Sequence, residues 1–207
     1  MRRAAALAAA LLLVLCWRGA VAQPAVALGN LGGDQVPMNG LVNFPKWNRL
    51  VGTLLAAPPA GEVEQWARWS ASLRTLPASE RLFAIHSRGN HRVGYRTDPD
   101  NWRLDDYWEL PGEIFGKERS TDCEGYAILK YFLAVQAGFS PDDLFIMAGV
   151  IRSTREMHAV LVVRAGGSSY VLDNRLPTVQ QVDLYGDFVP LYLLDSRQAW
   201  RVKQVRR

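Results

Sequence analysis

Three side chains, Cys123, His158 and Asp173, follow one another along a 207-residue chain. Together they are the minimum set for covalent acyl chemistry: a nucleophile, a base and a group that orients the base. Cys123 lies in Ser120-Thr121-Asp122-Cys123-Glu124-Gly125-Tyr126-Ala127, where polar residues open an apolar, helix-spaced run. The thiol therefore falls in the first turn of a predicted helix, with Thr121 or Asp122 as its cap. The attacking species is the thiolate, and the unpaired N–H groups and aligned dipoles of a first turn favour negative charge there. Asp122 and Glu124 act the other way, because carboxylates beside a thiolate raise its pKa. A reactive Cys123 requires that they point away or that a cation neutralise them.

His158 lies in Met157-His158-Ala159-Val160-Leu161-Val162-Val163, a strand by its β-branched content, and Asp173 ends the next one, Tyr170-Val171-Leu172-Asp173-Asn174. Between them, Gly166-Gly167 suits a two-residue hairpin turn. That turn pairs residues whose numbers sum to 333, so His158 opposes Arg175. Asp173, two residues from Arg175 on the same face, then comes within diagonal reach of the imidazole. A loop longer or shorter by one residue would put the two on opposite faces. Each residue also has a plain structural reading. A free cysteine is commonly a small buried hydrophobe, a strand histidine can be a satisfied core residue, and Asp-Asn at a strand end is common turn chemistry. Their joint occurrence favours catalysis. His86 and His91 are secondary candidates for the base, and the sequence has no Ser nucleophile elbow, phosphate-binding loop or zinc-spaced Cys/His cluster.

Met1-Arg2-Arg3, an apolar run from Ala4 to Cys16 and the small residues Ala20-Val21-Ala22 read as a secretory signal peptide over residues 1–22. The run falls short of the ~20 residues a membrane span needs, so an exported, periplasmic protein is expected, not an integral membrane one. Cleavage after Ala22 takes the basic side chains from 24 to 21 against 20 acidic, a net charge of +1, which gives no support to a nucleic-acid footprint. It also removes Cys16 and leaves Cys123 as a single thiol in an oxidising compartment, where thiols pair or oxidise.

The elements that must position these residues follow from periodicity. Residues 23–40, rich in Gly, Pro and Asn, read as an extended lead-in of low order, with one domain over 41–207. Helical spacing appears over Leu41–Leu55, Glu62–Leu76 and Ala78–Val93, the last capped by Ser79 and ending near Gly89-Asn90. An aromatic, turn-rich connection, Arg96 to Gly116, reads as a cleft wall or as a pinned surface loop. The clearest helix is Asp122–Ala137, closed by Gly138. Strand-like runs follow at Leu144–Ile151, Met157–Arg164, Ser169–Asp173 and Val189–Leu194. The fold class is α+β, with N-terminal helices packed on a mostly antiparallel sheet.

The ordered set Tyr95-Arg96-Thr97-Asp98 through Trp102, Asp106-Tyr107-Trp108 with Pro111 and Glu113, Asp122-Cys123-Glu124 with Tyr126-Ala127, His158 with Val160-Leu161, and Val171-Leu172-Asp173-Asn174 resembles the bacterial transglutaminase-like cysteine proteinases. Within that family it is similar to the LapG-type periplasmic proteases, over about residue 40 to Trp200. The resemblance implies a papain-like or transglutaminase-like fold with Cys123 as nucleophile, His158 as general base and then acid, and Asp173 orienting the imidazole. It also implies a calcium ion held by Asp122 and Glu124. The implied substrate is a very large surface adhesin cut near its N-terminal end, and the implied regulator an inner-membrane receptor that senses cyclic di-GMP. The chain departs from the family's common Gly-Asp-Cys-Glu-Asp at Thr121 and Gly125. A transglutaminase or cell-wall amidase with the same triad, and a non-catalytic periplasmic binding module, are the alternative readings.

Overall fold

Pro45 fixes the first turn of α1 (Pro45–Ala56), and Trp47, Leu50, Val51 and Leu54 at helical spacing form its buried stripe. The computed structural model describes residues 28–31 and 33–203. The segment read as a signal peptide, 1–22, lies outside them, and no helix among the described residues is long and apolar enough to cross a membrane. Next come α2 (Gly61–Ser72) and α3 (Ala78–Arg92), then β2 (Gly94–Tyr95), α4 (Asp98–Trp102), α5 (Pro111–Gly116) and β3 (Ser120–Thr121). The central helix α6 (Cys123–Gln136) is buried on nearly every side. It packs against α2, α3 and α5 on one side and against the sheet on the other, which is why its sequence is apolar almost all round.

The sheet comprises β1 (Asp34–Pro37), β4 (Leu144–Ile151), β5 (Met157–Ala165), β6 (Ser168–Leu172), β7 (Gln180–Gln181), β8 (Phe188–Leu194) and β9 (Ala199–Lys203). Their spatial order is β1-β9-β8-β4-β5-β6-β7, antiparallel throughout. Alternation along β4 and β5 divides the core. Leu144, Ile146, Leu161 and Val163 face the helices, whereas Phe145, Met147, Val160 and Val162 join Phe188, Trp200, Leu28 and Leu31 on the other face. The chain thus has the expected α+β architecture.

Several local expectations change. Within the stretch expected to be an extended lead-in, residues 34–37 form β1, which pairs with β9, and Leu28 and Leu31 are buried, so these residues pack with the domain, whereas 23–27 lie outside the described residues. No side chain caps α3, which continues past Gly89 to Arg92. Gly89 is no stop signal: a Cβ there would lie 3.2 Å from Lys130 Cε, so the missing side chain admits α6. Gly138, at φ +88°, closes α6 in the left-handed conformation as expected. The pairs Leu161–Leu172 through Ala165–Ser168 keep the register expected of a two-residue Gly166-Gly167 turn.

Gly149 pairs with His158 across β4 and β5, beside a register shift between β4 and β8. A Cβ at 149 would sit 2.6 Å from the Phe188 ring and closer still to Val189 O. Phe188 in turn stands edge-on to His158, with ring centroids 6.4 Å apart. Gly149→Ala should therefore lower unfolding stability by about 1–3 kcal/mol, the usual cost of overpacking, as measured by urea denaturation.

Candidate active site

Three elements converge on one cleft. Asp122 caps α6 and accepts the Gly125 N–H at 3.4 Å, which places Cys123 at the first helical position, 8% exposed. His158, 7% exposed, is the second residue of β5. Asp173, 1% exposed, lies just past the end of β6. The cleft has a volume of about 520 Å³, and its walls include Tyr95, Cys123, Met157, His158, Asn174 and Arg175.

His158 Nε2 donates to Asp173 Oδ1 at 2.8 Å. The diagonal contact expected from the hairpin register is therefore present. Oδ1 also accepts the Arg175 N–H at 2.9 Å, and the Tyr185 hydroxyl donates to Oδ2 at 2.8 Å. Burial pushes this carboxyl up, but His158 and the two other donors outweigh burial and hold it below the usual carboxylate range. With Nε2 committed to Asp173, Nδ1 is the ring nitrogen left for chemistry. The other histidines lie outside the cleft. His86 Nε2 is 3.0 Å from Leu176 O, and burial, assisted by Lys130, pushes its pKa down to about 4. His91 Nδ1 is 2.8 Å from Ser87 O.

The expected conflict at the thiol is visible. Sγ donates to Glu124 Oε2 at 2.8 Å. Burial, then the Glu124 charge and hydrogen bond, then Asp122, drive the thiol pKa far above its ordinary value, against the Ala159 N–H. Neither carboxylate points away.

Two further acids, which sequence reasoning missed, crowd the same place. Ligand atoms of Asp98, Glu109 and Asp122 all lie within 4.8 Å of one another, as do those of Asp122, Cys123 and Glu124. Burial first, then Glu124, Asp98 and Glu109, push Asp122 up to about 9. Burial pushes Glu109 up to about 7 despite hydrogen bonds from Trp102 Nε1 at 2.8 Å and Thr121 Oγ1 at 2.9 Å. Asp98 Oδ1 and Glu109 Oε2 are buried without a hydrogen-bond partner. Orphaned carboxylate oxygens gathered in one place are the donor set of a hard cation, and calcium takes 6–8 oxygen ligands. The residues present fit that ion. Only the aromatic content of the 96–116 connection marked it in the sequence as a possible wall. Nothing local tied Asp98 or Glu109 to Asp122, or Tyr185 to Asp173.

Thr121 and Gly125, the two departures from the family pattern, prove to be one feature. A Cβ at 125 would overlap Thr121 Oγ1 and sit 2.8 Å from Glu109 Oε2. The hydroxyl that anchors Glu109 fills the room a side chain at 125 would need.

A cysteine at the first position of a helix shares a cleft with a strand histidine, on a helix-and-sheet scaffold. The sequence profile of the bacterial transglutaminase-like cysteine proteinases (BTLCP) matches residues 64–188, more than half of the chain, and the chain belongs to that family of cysteine peptidases. It is similar to LapG of Legionella pneumophila, at 27% identity and a TM-score of 0.59, over 73% of this chain and 87% of that one. Calcium-bound LapG from the same organism matches at 26% identity and a TM-score of 0.60, over 76% and 91% of the two chains. EGTA-treated LapG matches at 26% identity and a TM-score of 0.61, over 76% and 88%. A comparison with curated proteins finds no match.

Beneath the cleft lies Lys130, fully buried on α6, its Nζ 3.4 Å from Leu172 O. Burial pushes its pKa down to about 7, with Asp173 opposing. Between that value and its unfolded pKa near 10.4, the unfolded chain binds a proton that the folded chain does not, so stability rises with pH across this window. Below about 7 the cost is complete and constant. Lys130→Met, close in volume, should raise stability at pH 7 by on the order of 1–4 kcal/mol and flatten the rise between pH 7 and 10, measured by urea denaturation at several pH values.

Proposed function

We propose that this protein is a periplasmic cysteine endopeptidase with Cys123 as nucleophile, His158 as general base and then acid, and Asp173 as the orienting carboxylate. The observation that carries the reading is the 2.8 Å bond from His158 Nε2 to Asp173 in a cleft that also holds Cys123 at the first position of α6. Asp173 fixes the imidazole as the tautomer with its proton on Nε2, so Nδ1 accepts the thiol proton as sulfur attacks the scissile carbonyl. The unpaired N–H groups at the open end of α6 stabilise the charge that develops on the carbonyl oxygen. Nδ1–H then protonates the leaving amine, and the same nitrogen activates the water that releases the acyl group.

Asp122, Glu124, Asp98 and Glu109 are the residues that would hold a calcium ion, whose charge offsets the carboxylates raising the thiol pKa. The reading rests on the orphaned oxygens and on the similarity to LapG of Legionella, which has been solved calcium-bound. The LapG-type resemblance and the signal-peptide pattern also support the substrate and setting: a very large surface adhesin, cleaved near its N-terminal end in the periplasm, under an inner-membrane receptor that senses cyclic di-GMP.

Cys123→Ala should abolish cleavage of such an adhesin segment while its unfolding transition stays cooperative. Asp173→Ala should lower kcat/KM by about 10²–10⁴-fold. A Cys123→Ala variant that still cut would overturn the proposed nucleophile. Chelation should inhibit the wild type and lower its Tm, with both restored by calcium, and full activity in excess chelator would remove the ion from the reading. Product masses separate the reactions: hydrolysis adds water, whereas transamidation joins chains with loss of ammonia.

A further inference from the structure

Away from the cleft, α2, α3 and the turn before β3 enclose a polar pocket of about 260 Å³ lined by Glu62, Gln65, Trp66, Arg88, Arg92 and Arg119. Three guanidinium groups meet a single carboxylate there, a local charge of +2. Arg119 Nε donates to Glu62 Oε1 at 2.8 Å, while Arg88 and Arg92 form no ion pair among the described residues.

Arg88 is not a freely solvated side chain. Its guanidinium carbon lies 4.5 Å from the Trp66 ring centroid and 4.3 Å from that of Trp69, so two indoles hold the plane in place. Its Nε is buried and has no hydrogen-bond partner. Burial, then the charge of Arg92, lowers its pKa, with Glu62 opposing. Glu118 and Arg119 add a cost, since both non-glycine residues adopt the left-handed conformation, at φ 56° and 53°. An electropositive pocket built from a clamped arginine and two further guanidinium groups is organised for an anion.

We propose that the Arg88–Arg92–Arg119 pocket is a binding site for a phosphoryl dianion, either inorganic phosphate or the phosphate of a small monoester. The charge selects the class: a phosphate monoester carries about −1.5 to −2 near neutral pH and offers three acceptor oxygens, which match a net +2 spread over three guanidinium groups. A single carboxylate would leave the pocket positively charged.

Calorimetric titration of the full chain with inorganic phosphate, glycerol phosphate and acetate at fixed ionic strength tests this. One phosphate or one glycerol phosphate should bind per chain, the tighter of the two naming the source, and acetate should bind at least about tenfold more weakly. Arg92→Gln and Arg119→Gln, both on exposed side chains, should each weaken phosphate at least about tenfold. Glu62→Gln, which removes the only carboxylate, should tighten it, a gain that a purely structural role for these residues does not produce. No phosphate binding at millimolar concentration, equal binding of acetate, or undiminished binding by Arg92→Gln in a chain with wild-type Tm would each overturn the proposal.

Discussion

Repulsion among Asp98, Glu109, Asp122 and Glu124 constrains the open end of α6 more than any other interaction does. Asp122 caps the helix, so it cannot leave without exposing N–H groups of the first turn. Glu124, one residue beyond the thiol, is held by the helix that positions Cys123. Glu109 and Asp98 arrive from the connection between β2 and β3 and are buried with unsatisfied oxygens. Four acids in one buried place favour either shared protons or a cation. The same crowding raises the thiol pKa, so the four acids, the helix cap and the Cys123 thiol belong to one electrostatic problem. Thr121 contributes by tying down Glu109, and Gly125 by giving Thr121 room.

On the other side of the cleft the constraint is geometric. The two-residue Gly166-Gly167 turn sets the pairing of β5 with β6, and that pairing alone decides whether His158 and Asp173 share a face. Tyr185 and the Arg175 N–H complete the hydrogen bonding of the carboxylate. Asp173 is thus saturated by three donors and has little freedom to rotate, while the imidazole keeps one nitrogen free.

What was legible in the sequence follows the range of the interactions. The hairpin, the cap of α6 and its glycine stop depend on neighbours close in the chain, and the residues near Cys123, His158 and Asp173 announced them. Asp98 and Glu109 lie 24 and 13 residues from Asp122, across two short helices with no periodic pattern, and only the folded connection brings them together. Gly89 misled for a related reason: a glycine within a helical pattern reads as an end, but here it makes room for Lys130 of another helix. β1 was hidden because an edge strand of four residues, preceded by Gly33 and ending in Pro37, carries almost no alternation.

That edge strand has a consequence for the order of assembly. β1 begins at Asp34 and pairs with β9, where Asp34 stands opposite Lys203, so the first strand waits for the last. A chain that emerges N-terminus first exposes the unpaired β1 amides until β9 has appeared. The α6–β4–β5–β6 unit, which carries Cys123, His158 and Asp173, can pack before that. That unit is built from near neighbours and the far edge from distant ones, so loop-closure entropy weighs chiefly on β1. Closing that edge acts as a final seal on a domain whose cleft is already assembled.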